Sequence, residues 1–137
     1  MAKQYNATDK RKADSLQTAM TAVSALKEIK AMRICLFDVC ENAPFTDYYV
    51  ICTGRSVTHM RAIAEHVADE MKKIGIQAAP PEGRNGDTWL LVDLGDVIVH
   101  IFSREAREFY NLERLLPRDR EIPIPADEQP AVAEKQV

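Results

Sequence analysis

The strongest constraint on the fold is the run VIVHIF (97–102), because both of its faces are largely apolar. Side chains alternate across a strand, so each face carries every second residue. One face carries Val97, Val99 and Ile101, and the other carries Ile98, His100 and Phe102. A strand of this kind has to be covered on both faces, which predicts a central strand of a sheet.

Two aspartates frame a short turn just before this strand. The segment WLLVD (89–93) precedes it, and only LGD separates the two apolar runs, so the pattern predicts a hairpin. Aspartate is favoured in turns because its side chain accepts hydrogen bonds from nearby backbone N–H groups. The plain interpretation of Asp93 and Asp96 is therefore a capped turn. The functional alternative is an acidic pair at the hairpin tip that faces a cation or a basic partner.

His100 has apolar neighbours on its own face of the strand. A metal site needs several ligands at suitable spacing, and no such partner stands near this single histidine. We therefore interpret His100 as a core or half-buried residue that is hydrogen-bonded to a neighbour. We expect no metal ligand, no catalytic residue and no cofactor in this chain.

The remaining patterns predict an α/β (α+β) fold. Apolar periodicity indicates helices at 14–30, at 57–74 after an N-cap at Ser56, and up to residue 116 after an N-cap at Ser103. Gly75 is the expected stop of the second helix. Besides the hairpin, β-rich runs indicate strands at 33–39, 48–54 and 76–79. The expected architecture is a mixed sheet of about five strands, with a parallel pair within 48–79, packed on helices.

Both ends of the chain differ from its middle. Residues 1–13 are polar and charged, and residues 117–137 are rich in proline without a periodic apolar pattern. Such segments bury too little apolar surface to offset their ordering entropy. The sequence therefore predicts one domain at 14–116, a flexible N-terminal segment at 1–13 and a disordered C-terminal tail at 117–137.

Composition narrows the class of partner. The net charge of −3 lacks the basic excess of proteins that grip a nucleic-acid backbone, so we expect little direct nucleic-acid contact and favour a basic protein partner. Three cysteines without a C-x-x-C pair are typical of reduced thiols. With no secretory signal and no apolar run of membrane-spanning length, a cytoplasmic location without membrane association is the expectation.

The segment CTGRS (52–56) has some likeness to a phosphate-binding turn, because a glycine precedes a helix N-terminus that favours anions. Neither the G-x-x-x-x-G-K-[ST] nor the G-x-G-x-x-G pattern is present. The preferred interpretation is that Gly54 lets the chain turn into the helix.

Trp89 is the one tryptophan of the chain, and it begins a strand beside a polar loop. It fits the core, but tryptophan, tyrosine and arginine also dominate the hot spots of protein interfaces. Arg107 and Tyr110 are three residues apart, hence neighbours on the last helix. If that helix packs beside the hairpin, a shared surface would carry Trp89, Asp93, Asp96, Arg107 and Tyr110.

Two blocks closely resemble the Iojap-like ribosomal silencing factors. They are FTDYYVICTGRS (45–56) and TWLLVDLGDVIVHIFSREAREFYNLERLL (88–116). The tryptophan, the VDLGDVIVH core and the R-x-F-Y-x-L-E-x-L helix occur in order and at tight spacing. The resemblance covers residues from about 15 to 116.

This resemblance implies a non-enzymatic protein with a nucleotidyltransferase-like core. It implies binding to the large ribosomal subunit at ribosomal protein fourteen, a block of subunit joining and repression of translation when nutrients are scarce. It also implies homodimers in the free state. The tryptophan, the two acids and the tyrosine of the family motifs match Trp89, Asp93, Asp96 and Tyr110, whereas Thr88 stands where the family usually has aspartate.

An enzyme is the competing hypothesis. Asp93 and Asp96, with His100, would then serve a metal-dependent nucleotidyltransferase or phosphohydrolase. A transferase core usually has a G-S loop and a downstream D-x-D strand, whereas this chain has D-x-x-D across a turn. The alternative therefore requires two carboxylates to converge from opposite sides of that turn.

Overall fold

The computed structural model describes residues 7–41, 43, 45–84 and 87–124. Its helices are α1 (Ala7–Glu28), α2 (Val57–Lys73) and α3 (Arg104–Tyr110). Its strands are β1 (Met32–Asp38), β2 (Tyr48–Thr53), β3 (Glu82–Arg84), β4 (Trp89–Asp93), β5 (Val97–Phe102) and β6 (Glu121–Ile122). Within these ranges, no helix has both the length and the apolar character that crossing a bilayer requires.

The strands form one mixed sheet in the order β3-β4-β5-β2-β1-β6, counted over the described residues. Strand β5 is interior, with β4 antiparallel on one side and β2 parallel on the other. The predicted central strand, the β4–β5 hairpin and the mixed α/β class are therefore confirmed. The sheet has six strands where about five were expected.

Helices α1 and α2 cover one face of the sheet. The main core lies between these helices and the sheet. It includes Leu26, Leu36, Val50, Met60 and Ile101, each of which is fully buried. Its strand members alternate with residues that point to the other face, as strand geometry requires. On that other face, a smaller core formed by Phe37, Val39, Ile51, Phe102 and Ala106 packs under α3 and the turns that follow it.

The sequence predicted the N-caps of α2 and α3 correctly. The Ser56 hydroxyl accepts from the backbone N–H of His59, and the Ser103 hydroxyl accepts from that of Ala106, both at 3.0 Å. Gly75 follows the end of α2 with φ of +84°, the left-handed conformation that favours glycine.

The structure corrects the predicted strand at 76–79. Ile76 and Ala78 are half-buried against the main core, but they pair with no strand of the described chain. The strand in this region is β3, which pairs with β4 and comes after Pro80 and Pro81. The parallel partner of β2 is therefore β5, so the connection between them contains α2 and β3–β4.

Helix α1 begins earlier than the predicted residue 14, and charges explain the extension. The Arg11 guanidinium donates to Asp47, and the Lys12 ammonium lies 2.7 Å from the Asp38 carboxylate. These pairs attach the first turns of the helix to the ends of β1 and β2. The predicted flexible segment at 1–13 is therefore corrected over residues 7–13, because polar composition cannot reveal partners that are more than twenty residues away. Residues 1–6 lie outside the described residues.

The last helix is shorter than predicted. It ends at Tyr110 because Asn111 adopts a left-handed conformation with φ of +46°, and a 3-10 turn follows at Leu112–Leu115. Phe109 and Leu115, which a regular helix up to residue 116 would carry on its apolar side, are 80% and 66% exposed. Leu112 and Leu116 pack on the smaller core instead.

The predicted disordered tail needs correction over residues 117–124. A 3-10 turn at Arg118–Arg120 leads into β6, which pairs with β1. This pairing covers the outer edge of β1 and places Ile122 and Ile124 against the main core. The remainder of the predicted tail, 125–137, lies outside the described residues.

Candidate interaction surface on the open face of the sheet

The face opposite α1 and α2 is covered only in part. Four side chains of β2, β4 and β5 on this face are half-buried rather than buried, namely Tyr49, Trp89, Leu91 and Ile98. The residues beside them that point to the other face, such as Val92 and Val97, are fully buried. We define these four side chains, with Tyr110 of α3, as the open face. Neighbouring apolar side chains that stay partly exposed are typical of interaction sites in soluble proteins.

Trp89 anchors an aromatic cluster at one end of the open face. Its ring centroid lies 4.8 Å from that of Phe102 and 5.0 Å from that of Tyr110. The Phe102 ring is fully buried beneath it. Of the five residues predicted to share a surface, Trp89 and Tyr110 are thus brought together by the packing of α3 on the hairpin.

His100 supports this cluster from within the sheet. It is 5% exposed, and the indole Nε1–H of Trp89 donates to its Nδ1 at 3.2 Å. The Tyr49 ring meets it edge-on at a centroid distance of 4.4 Å. Because Nδ1 accepts, the neutral ring carries its proton on Nε2. The interpretation of His100 as a buried residue hydrogen-bonded to a neighbour is confirmed.

The two aspartates lie at the opposite end of the hairpin from Trp89. Asp93 points to the same side of β4 as Trp89, but four residues of strand separate them by about 13 Å. Its carboxylate accepts from the N–H of Gly95 at 2.8 Å, in a turn where Gly95 has φ of +93°. The Asp96 carboxylate lies 3.3 Å from the Arg11 guanidinium and is 48% exposed. The capped-turn interpretation of Asp93 is confirmed.

The side chain of Arg107 points into the protein, not onto the predicted surface. It is 4% exposed and donates to the Glu113 carboxylate from Nε at 2.9 Å and from Nη2 at 2.6 Å. Its Nη1 donates to the carbonyl of Arg33 at 2.7 Å and to the Thr53 hydroxyl at 3.0 Å. Helical spacing places Arg107 beside Tyr110. The 3-10 turn at Leu112–Leu115, however, brings the Glu113 carboxylate next to the guanidinium, and the Arg107 side chain therefore points inward.

Two backbone amides near the start of α2, those of Arg55 and His59, have partners within the chain. The N–H of Arg55 donates to Nδ1 of His59 at 2.9 Å, and Nε2 of His59 lies 2.8 Å from the carbonyl of Ile29. Since Nδ1 accepts, Nε2 is the donor to that carbonyl. Through these contacts, the CTGRS segment (52–56) connects the start of α2 to the end of α1. Sequence reasoning missed the role of His59, because its partner lies thirty residues away.

Gly54 allows close packing against α2, in addition to the turn predicted for it. A Cβ placed there would lie 2.6 Å from Cγ and 3.2 Å from Cα of Met60, the first buried methionine of α2. The glycine therefore permits close approach of the β2 end to the helix.

Sequence reasoning also missed three members of the open face: Tyr49, Leu91 and Ile98. Alternation along β4 relates Leu91 to Trp89, and alternation along β5 relates Ile98 to His100. This signal groups residues within a strand. It does not show which face α1 and α2 leave open, so the surface needed the tertiary structure.

The acids and His100 do not form a common centre. Asp93 caps its own turn, Asp96 faces Arg11, and His100 is buried against Trp89. Burial raises the pKa of both Cys35 and Cys52 to about 12, and nearby Arg107 opposes that rise only partly. The arrangement favours an interface built on aromatic and aliphatic side chains with acidic groups at its rim.

Comparison with known proteins identifies a family for the chain. Residues 12–137 match the model of the family described as "Ribosomal silencing factor during starvation". A ribosomal silencing factor of Haemophilus influenzae is 42% identical over 93 residues, which cover 68% of this chain and 91% of that protein. One of Bacillus subtilis is 39% identical over 94 residues, which cover 69% of this chain and 80% of that protein.

Solved structures show the same fold. The crystal structure of a protein from Chromobacterium violaceum superposes with a TM-score of 0.71 at 28% identity. The match covers 80% of this chain and 90% of that one.

Proposed function

From the membership of this chain in the ribosomal silencing factor family, we propose that it represses translation by binding the large ribosomal subunit at ribosomal protein fourteen. In the bound state it blocks the approach of the small subunit. Membership in this family implies a regulator and not a catalyst. The expected place of action is the cytoplasm, where subunits join.

The observation that carries the proposal is the open face. It combines a tryptophan, a tyrosine and two aliphatic side chains of the sheet with Tyr110 of α3, and all five are half-buried. Tryptophan and tyrosine supply large contact areas at low cost in side-chain entropy and dominate interface hot spots. The Trp89 ring is held from below by His100 and Phe102, so little ordering remains to be done on binding.

Charge favours a protein contact over an RNA contact. The net charge of −3 attracts a basic ribosomal protein and opposes rRNA phosphate. Asp93 and Asp96 lie at the hairpin tip, outside the aromatic end, and both are exposed. We therefore assign them to the rim of the interface, where charges mainly speed encounter and set its dependence on salt.

Mixing the protein with both ribosomal subunits tests the function directly. Sedimentation through a sucrose gradient measures the fraction of joined ribosomes. We expect that fraction to fall as the protein is raised in excess over the large subunit, with the protein co-sedimenting with that subunit alone. Undiminished joining at saturating protein would refute the proposal.

Variants then locate the interface. Leu91→Glu and Trp89→Glu place a carboxylate on the open face, and both should remove co-sedimentation with the large subunit. Ile74→Glu is the matched control, because Ile74 is 52% exposed at the far end of α2, away from the open face. Circular dichroism shows whether each variant is folded. Binding by a folded Trp89→Glu variant at the unmodified level would exclude the open face.

The homodimer implied for the free protein stays a prediction. Light scattering of the purified chain measures its mass directly and separates a monomer from a dimer.

A further inference from the structure

A cluster of ligand-type side chains joins the two long helices on the covered side of the molecule. His66 and Glu70 are four residues apart on α2 and so share one face, and Glu28 is the last residue of α1. One imidazole nitrogen of His66 and one oxygen of each carboxylate all lie within 4.8 Å of one another. The His66 Nε2 atom is already 2.8 Å from a Glu28 oxygen.

We propose that Glu28, His66 and Glu70 form a binding site for a divalent transition-metal ion, with Zn²⁺ as the best-fitting ligand. One imidazole with two carboxylates is a donor set that suits zinc, and water completes the four-fold coordination. Calcium and magnesium prefer sets made of oxygen alone. The site is separate from the open face and does not depend on the proposed function.

Electrostatics at this position favours a cation. Glu28 and Glu70 bring two negative charges, and the carbonyl end of the 22-residue helix α1 lies at Glu28. A helix C-terminus carries a partial negative charge that attracts cations. One cation already lies at this position, because the Lys73 ammonium is 2.7 Å from the Glu70 carboxylate.

Loading the site needs only small movements. With Zn²⁺ bonds of about 2.0–2.2 Å, tetrahedral ligand atoms stand about 3.3 Å apart. The His66–Glu28 pair at 2.8 Å therefore has to open slightly, and the ion binds Nε2 while the neutral ring carries its proton on Nδ1. Glu28 is 58% exposed and free to shift its side chain. Lys73 is 68% exposed, so its side chain can turn into solvent when the metal takes its place.

A bound ion would fasten the end of α1 to the middle of α2. These helices cover the main core, so the metal would stabilise the folded state by an amount that grows with the logarithm of the free zinc concentration above its dissociation constant. Zinc should thus raise the melting temperature of the whole chain without changing the residues of the open face.

Calorimetric titration of the full-length, chelator-treated protein with ZnCl₂ tests the site. We expect one ion per chain. The zinc affinity should fall at least about tenfold in His66→Ala and by a similar factor in Glu70→Gln. Loss of a residue that only supports a metal ligand already lowers metal affinity by about that factor. Glu65→Gln is the control, because Glu65 is an exposed carboxylate on the same helix. It should bind as the parent chain does.

Cobalt separates this site from the three thiols of the chain. Co²⁺ bound to imidazole and carboxylate gives weak visible bands, whereas a cysteine ligand adds a strong thiolate charge-transfer band. A thiolate band, or the absence of zinc binding in the parent chain, would overturn the proposal. Equal zinc affinity in the parent chain and in the folded His66→Ala and Glu70→Gln variants would overturn it as well. Sedimentation with ribosomal subunits is a separate readout, which these variants should leave unchanged.

Discussion

Arg107→Ala should destabilise the fold instead of weakening an interface. The guanidinium is 4% exposed and joins Glu113, the Arg33 carbonyl and the Thr53 hydroxyl. Truncation removes every one of these donors at once. It leaves the Glu113 carboxylate, which is only 24% exposed, without its main counter-charge.

The size of the effect follows from that geometry. Removing one partner of a buried ion pair costs about 3–5 kcal/mol, because the remaining charge is poorly solvated. Glu113 keeps some contact with water, so we expect a loss near the lower end, about 3 kcal/mol. A domain of this size has about 5–15 kcal/mol of stability, and each kcal/mol lowers the melting temperature by about 4 °C.

Urea unfolding followed by circular dichroism measures the loss. Arg104→Ala is the control, since Arg104 is exposed on the same short helix and should change stability by less than about 0.5 kcal/mol. In a Glu113→Gln background, Arg107→Ala should cost less, because the group left behind is neutral. A loss below about 1 kcal/mol, or lost subunit binding at full stability, would refute the structural role of Arg107.

Two further predictions concern Gly54 and the cysteines. Gly54→Ala should cost about 1–3 kcal/mol in the same urea titration, because the new Cβ meets Met60, and unchanged stability would contradict this close approach. Burial raises the pKa of Cys35 and Cys52 to about 12. At pH 8 roughly one in ten thousand of these thiols is ionised, so iodoacetamide should modify them slowly until urea exposes them. Mass spectrometry of alkylated native chain decides this, and rapid native modification of Cys35 would speak against it.

The local parts of the structure were open to prediction from the sequence. Ser56 and Ser103 cap their helices, Gly75 ends α2, and Asp93 with Gly95 makes the hairpin turn. Each depends on groups within a few residues of one another, and the preferences of those groups for caps and turns are strong. The central place of β5 followed in the same way, since its two apolar faces allow no other position.

Prediction failed where distant partners decide the outcome. The pattern of residues 76–79 resembles a strand, but β3 occupies the place beside β4. Residues 118–122 look like a solvated tail, yet they pair with the edge of β1. A short segment with a weak local preference takes the conformation that its neighbours in space stabilise.

The candidate surface divides in the same way. Residue type alone marked Trp89 and Tyr110 as interface anchors, and the fold brings their rings to 5.0 Å. The inward turn of Arg107 and the separation of Asp93 from Trp89 were decided by the tertiary structure. Periodicity tells which side chains of one element share a face. Whether that face is covered, and by which partner, depends on contacts between segments far apart in the chain, which no local pattern records.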